Sequence, residues 1–126
     1  MDLRREDVSG GPIVTGFSGM GFKVRETLYP RGLMLTPEAA IDWNAPASAE
    51  AINLAMLVPL LSPHPAPEFL LLGTGARLVQ PPRALVREIE AMGIGIEAMD
   101  SRAAARAWGV LRQEDRQICA ALLPLG

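Results

Sequence analysis

The residues with the best claim to chemistry lie in Phe69-Leu70-Leu71-Leu72-Gly73-Thr74-Gly75-Ala76-Arg77-Leu78-Val79-Gln80-Pro81-Pro82. An apolar run, a glycine turn and a proline-marked helix start follow one another. Glycine turns after buried strands cradle phosphates in nucleotide-binding folds, because backbone N–H groups at a helix N-terminus can approach the ligand closely. Here the match is partial. Leu78 stands where a dinucleotide fingerprint has its third glycine, and the Gly-Lys-Ser/Thr of a P-loop is absent. The prolines put the helix start several residues past the glycines, too late for its N-terminus to meet a pyrophosphate. One feature fits the nucleotide reading: Asp100 follows the next strand, where a ribose-binding acid often sits. The favoured reading is a structural strand-end turn. A crevice at that strand end, able to hold a small anion or a partner's side chain, stays open.

Other reactive residues are sparse. His64 is the single histidine and sits between prolines, so it lacks the partners of a triad or a metal site and reads as a surface-loop residue. Cys119, the single cysteine, lies in the apolar run Ile118 to Leu123 and reads as a small core hydrophobe. A strand points Glu97 and Asp100 to opposite faces, which disfavours an acid/base pair. Arg102, Arg106, Arg112 and Arg116 flank the last helix; they read as a solvated face, with a partner-docking patch as the sharper alternative. Trp43 and Trp108 read as core, although an exposed tryptophan would anchor an interface.

The elements that must position these residues follow from composition and pattern. A chain of 126 residues, 49% apolar and 21% charged, forms one soluble domain. We expect a flexible amino-terminal segment over 1–11 and a single α/β domain over 12–126. A net charge of −2 gives no footprint for nucleic acid, and one cysteine forms no internal disulfide. The charged opening lacks a signal-peptide core, and the apolar-rich stretch Ala51 to Leu61 is too short to span a bilayer. The expectation is a cytoplasmic protein that is not transmembrane, with contact to a membrane or a membrane-bound partner left open.

The first half is β-rich. Pro12–Thr15, Lys23–Tyr29, Leu33–Leu35 and Ala40–Trp43 are strand candidates, with the glycine-punctuated Gly16–Phe22 as a turn or bulge. Ser48 caps a helix from Ala49 to about Leu57, with Ile52, Met56 and Leu60 at helical spacing and Pro59 ending it. Beyond that, strand and helix alternate. Phe69–Leu72 is a strand covered on both faces. A helix from Pro82 carries the stripe Leu85, Ile89, Met92 and stops at Gly93. Ile94–Met99 is a strand, Asp100 or Ser101 caps a helix with Ala104, Ala107, Trp108 and Leu111 on one side, and Ile118–Leu123 is the last strand. Such alternation signals an α/β layer with some parallel pairing.

The segments Phe69–Gly75, Gly93–Ser101 and Ala103–Leu111 together resemble the small domain shared by mitochondrial complex I assembly factor 3 and the adipogenesis-associated domain proteins. Gly19–Val24 and Leu33–Pro37, with Trp43 downstream, resemble its opening strands, so the likeness runs from about Ile13 to Leu123. It rests on order and spacing rather than on one specific motif. The resemblance implies a three-layer α/β domain: a mixed central sheet, flanking helices and an added amino-terminal β layer. It implies no established enzyme activity and no cofactor. Gly73, Thr74, Gly75, Asp100, Arg106 and Arg116 match the family where a crevice would form; Ala107 and Gly109 depart from the polar residue and asparagine usual around the helix aromatic. Gly109 thereby suggests a helix bend or a close packing contact. The resulting expectation is a bacterial, non-catalytic protein-binding domain, peripheral to the inner membrane in the role of an assembly factor for a respiratory complex. Its candidate surface is Gly73, Thr74, Gly75, Asp100, Arg106, Arg116 and Trp43. The alternative is a small-ligand or nucleotide-binding protein, or an enzyme, using the crevice at the glycine turn.

Overall fold

The structure is a computed structural model and describes residues 11–126. The expectation of a flexible 1–11 segment falls outside these residues, apart from Gly11, which is buried. The chain opens with β1 (Gly16–Ser18), β2 (Gly21–Val24) and β3 (Thr27–Tyr29), an antiparallel three-stranded sheet with Phe17 opposite Phe22 and Lys23 opposite Leu28. Left-handed residues set the breaks between these strands. Gly19 (φ 59°) makes the glycine-rich stretch turn, the first of its two readings, as the hairpin between β1 and β2. Arg25 (φ 56°) then splits Lys23–Tyr29 into two strands. Pro12–Thr15 is not a strand; only the Thr15 N–H joins the ladder, donating to the Lys23 carbonyl at 2.8 Å.

The next two strands, β4 (Leu33–Leu35) and β5 (Ala40–Asp42), form as expected and pair antiparallel. The helix expected from Ala49 does not form as one piece. Ser48 and Asn53 each cap a short 3-10 turn, Ala49–Ala51 and Leu54–Leu57. Helix α1 (Val58–Leu61) starts only then, with Pro59 inside its first turn. There the missing proline N–H has no intrahelical acceptor to lose, so Pro59 opens a helix instead of ending one. The remainder is β6 (Phe69–Gly73), α2 (Arg83–Ala91), β7 (Gly95–Met99), α3 (Ser101–Gln113) and β8 (Cys119–Leu122). Gly93 (φ 81°) ends α2 as expected, while Met92 is exposed and does not extend the Leu85–Ile89 stripe.

The second sheet has the order β5-β4-β8-β6-β7. It is mixed: β6 pairs parallel with β7 and β8, whereas β4 pairs antiparallel with β5 and β8. Side chains alternate across it with period two. Met34, Leu70, Leu72, Cys119 and Ala121 face the α1 and α2 side with Leu60, Leu85 and Ile89. On the other side Leu33, Leu35, Leu71, Ala120 and Leu122 meet Ala104 and Trp108 of α3 together with Phe22 and Val24 of the small sheet. Three layers result, with β6 and β8 apolar throughout because both of their faces are covered.

The amino-terminal layer is attached by more than apolar contact. The buried indole of Trp108 donates to the Pro12 carbonyl at 2.8 Å, and the Arg102 guanidinium lies 4.8 Å from the centroid of the Phe17 ring. Gly109, by contrast, has no packing reason: a Cβ built there meets nothing within 4 Å, and its backbone is an ordinary part of α3. Gly109→Ala should therefore stabilise the fold by about 0.5–1 kcal/mol through reduced chain entropy, read as a higher urea midpoint with an unchanged m-value.

Candidate functional site

At the carboxyl end of β6 the backbone is tied off internally. The Thr74 N–H donates to the Met99 carbonyl at 2.9 Å and the Gly75 N–H to Ser101 Oγ at 2.8 Å. The hydroxyl of Thr74 accepts from the Val79 N–H at 3.0 Å and donates to the Arg77 carbonyl at 2.7 Å, which folds residues 74–79 into a compact loop. The Ser101 hydroxyl donates to the Leu123 carbonyl at 2.7 Å, and the Ser101 N–H donates to the Gly75 carbonyl at 2.9 Å. The donors that a phosphate cradle would present at Thr74, Gly75 and Val79 are thus already used. Gly73 is required by contact: a Cβ there would sit 2.8 Å from both Ser101 Oγ and Leu122 Cδ2. Gly75 is required by its φ of 101°. These glycines bring strand and helix close together and do not open a ligand loop.

A crevice of about 550 Å³ nevertheless lies over this turn. One wall is Thr74–Arg77 and Val79, another is Asn44–Ala49, and Met20, Pro30 and Arg31 close it from the amino-terminal sheet side. Its charged side chains are Arg31 and Arg77, and no aspartate or glutamate lines it. Arg31 holds Asp42 through one Nη2–Oδ2 contact of 3.1 Å in an exposed pair. Sequence reasoning missed both arginines, since each sits in a turn with no motif around it. The only available signal was that Arg77 lies two residues past Gly75 in the loop after a buried strand.

The expected site residues separate. Thr74 and Gly75 line the crevice, and Gly73 lies just beneath at the strand end. Asp100 is the N-cap of α3, its Oδ1 accepting from the Ala103 N–H at 3.0 Å, so its carboxylate is engaged in capping. Arg106 is exposed on α3 and is not part of the lining. Trp43 is buried in the core with Met34 and Leu60 and anchors no surface. Arg116 is at the opposite end of the sheet, where it grips Glu68 beside β6 through Nε (3.0 Å) and Nη2 (2.8 Å) to Oε1. Buried Arg112 donates to the Arg116 carbonyl at 2.6 Å and closes the turn between α3 and β8. Of the four arginines read as one patch, Arg102, Arg112 and Arg116 make structural contacts and Arg106 does not.

The remaining reactive residues behave as the sequence suggests. His64 is exposed in its proline loop. Burial pushes the Cys119 thiol up to about 12, which leaves almost no thiolate at neutral pH. Both line a small cavity of about 180 Å³ near the amino end of β8. Among the described residues no group of three or more His, Cys, Asp or Glu side chains could hold a metal ion.

Two predictions follow from these contacts. Ser101→Ala strands a buried N–H at Gly75 and a buried carbonyl at Leu123, so it should cost about 1–3 kcal/mol in urea denaturation, while Ser48→Ala, at an exposed cap, costs less. The second concerns Glu68, whose carboxyl is held below the usual range by the hydrogen bonds from Arg116. A carboxyl with a lowered pKa in the folded state contributes stability above its unfolded value, and loses it as pH falls through the folded one. The contribution of this exposed pair should therefore fade below about pH 4, and Glu68→Gln should flatten the acid limb of a stability–pH curve.

Comparison with known proteins agrees with this architecture. The chain is 32% identical over 126 residues to an uncharacterised protein of Rhodobacter capsulatus, covering 99% of this chain and 94% of that one. It is 27% identical over 128 residues to NADH dehydrogenase [ubiquinone] 1 alpha subcomplex assembly factor 3 of Danio rerio, covering 98% of this chain and 71% of that protein. A crystal structure of a Bordetella parapertussis protein superposes with a TM-score of 0.81 at 34% identity, covering 91% of this chain and 97% of the other. Residues 14–123 match the family described as protein of unknown function (DUF498/DUF598), and the chain belongs to that family.

Proposed function

We propose that this chain is a non-catalytic, protein-binding domain that assists assembly of a membrane respiratory complex, with the crevice over Gly73-Thr74-Gly75 as its docking surface. The observation that carries the reading is the likeness to assembly factor 3 of Danio rerio along 98% of the chain. The geometry supports a binding role in two ways. The backbone donors at Thr74, Gly75 and Val79 are committed to the fold, and the two side chains with the most reactive chemistry, His64 and Cys119, lie away from the crevice. No helix among the described residues is long and apolar enough to cross a membrane. In this reading the domain meets a membrane complex from its water-facing side, at the cytoplasmic surface of the inner membrane.

The test is NADH:quinone oxidoreductase activity in membranes from a deletion strain, with an unrelated membrane enzyme as control. A selective loss restored by the intact gene is the expected outcome, followed by crosslinking to identify the partner. Unchanged activity would remove the respiratory-complex role.

A further inference from the structure

The chain carries a net charge of −2, yet the charged side chains lining its crevice are two arginines, with no aspartate or glutamate among them. Any attraction for an anion is therefore local to these two guanidinium groups, in a lining that also includes the last residue, Gly126. The N–H groups of Thr74, Gly75 and Val79 are consumed inside the fold, so the glycine turn does not offer them to an anion. Recognition falls to the guanidinium groups, whose planar forks match carboxylates in pairs of parallel hydrogen bonds. Among the described residues no ion pair joins Arg77 to a carboxylate. Arg31 makes a single contact to Asp42, in a pair exposed enough to be exchanged at small cost.

Apolar groups flank the charge. Met20, on the wall, is 54% exposed, and Leu78, in the 74–79 loop but not itself part of the lining, is 51% exposed. Large side chains left in water beside an open crevice are the usual anchors of a protein contact. A free inorganic anion would use the arginines and leave these two unused. We propose that the crevice receives an acidic segment of a partner protein, with Arg77 and Arg31 reading its carboxylates while Met20 and Leu78 hold an adjacent apolar side chain. This rests on the docking reading of the crevice given above.

The test is a fluorescence-anisotropy titration of the purified protein with a short labelled peptide alternating glutamate and leucine, against its glutamine–leucine counterpart. The glutamate peptide should bind, more weakly as salt rises, and about tenfold or more tighter than the glutamine peptide. Arg77→Gln should lose about the same factor, and Arg87→Gln, exposed on α2 away from the crevice, should lose nothing. Equal affinity for the two peptides, binding of neither, or wild-type affinity in Arg77→Gln would overturn the proposal. So would displacement by inorganic phosphate at an ionic strength where chloride has no effect, which would make the crevice a simple anion site. Ala47→Trp fills the crevice without altering charge. Loss of binding in Ala47→Trp but not in Arg77→Gln would keep the docking reading and remove the acidic assignment. Full binding in Ala47→Trp would place the peptide elsewhere and remove both. A deletion strain with normal respiratory activity would bear on the assembly role and leave the titration result standing.

Discussion

Where β6 and β8 end beneath the start of α3, three chain segments converge in a space from which water is excluded. Each brings backbone groups that were saturated inside the sheet and must now find new partners. The Ser101 hydroxyl satisfies two of them, accepting from Gly75 and donating to Leu123, and it is fully buried while doing so. A buried donor or acceptor left unpaired costs more than an ordinary hydrogen bond contributes, so this one side chain constrains its surroundings strongly. It fixes how closely α3 approaches the sheet, and that distance in turn excludes any side chain at Gly73. The same contacts hold the 74–79 loop at the angle that forms one wall of the crevice.

The remaining layers follow from covering both faces of β6 and β8. A strand whose two faces are dry must be apolar at every position, as Leu70, Leu71, Leu72, Ala120 and Ala121 are. Small residues then allow a large one to be accommodated: Ala104, Ala105 and Ala120 pack in one cluster with the fully buried Trp108. The indole N–H cannot be buried unpaired, and the Pro12 carbonyl answers it, which ties the amino-terminal strands to the face that α3 leaves uncovered. The small sheet is held by its own apolar side chains, by this hydrogen bond and by the stacking of Arg102 on Phe17.

Much of this was legible in the sequence, and what was not has a common physical cause. The continuous apolar run at Phe69, the cap at Asp100 or Ser101 and the glycine stop after α2 are local signals, and each placed its element correctly. The misplaced elements depended on residues whose conformation is set from outside the segment. Arg25 adopts left-handed backbone without being glycine, and no pattern announces that. Pro59 was read as a stop because a long helix was assumed before it; the chain instead spends that stretch in two short capped turns. The candidate site was legible only in part. Thr74 and Gly75 do line the crevice, but Asp100, Trp43 and Arg116 were grouped with them on type and family likeness, and each is committed to a structural contact.

That division also explains why the chemistry of the crevice is carried by side chains that no motif contains. Where backbone N–H groups form a binding site, glycine spacing records it in the sequence, because only glycine permits the approach. Here the glycines serve the junction with α3, and their donors face inward. What remains available at the surface is an arginine in the loop after β6, another in the turn before β4 and two exposed apolar side chains near them. Such a set comes together only when the two sheets are stacked, since Met20, Arg31 and Arg77 belong to three separate loops. A surface assembled in this way can be retuned by single substitutions that leave the Ser101 junction untouched. A family sharing one scaffold could therefore present different charges to different partners without altering its fold.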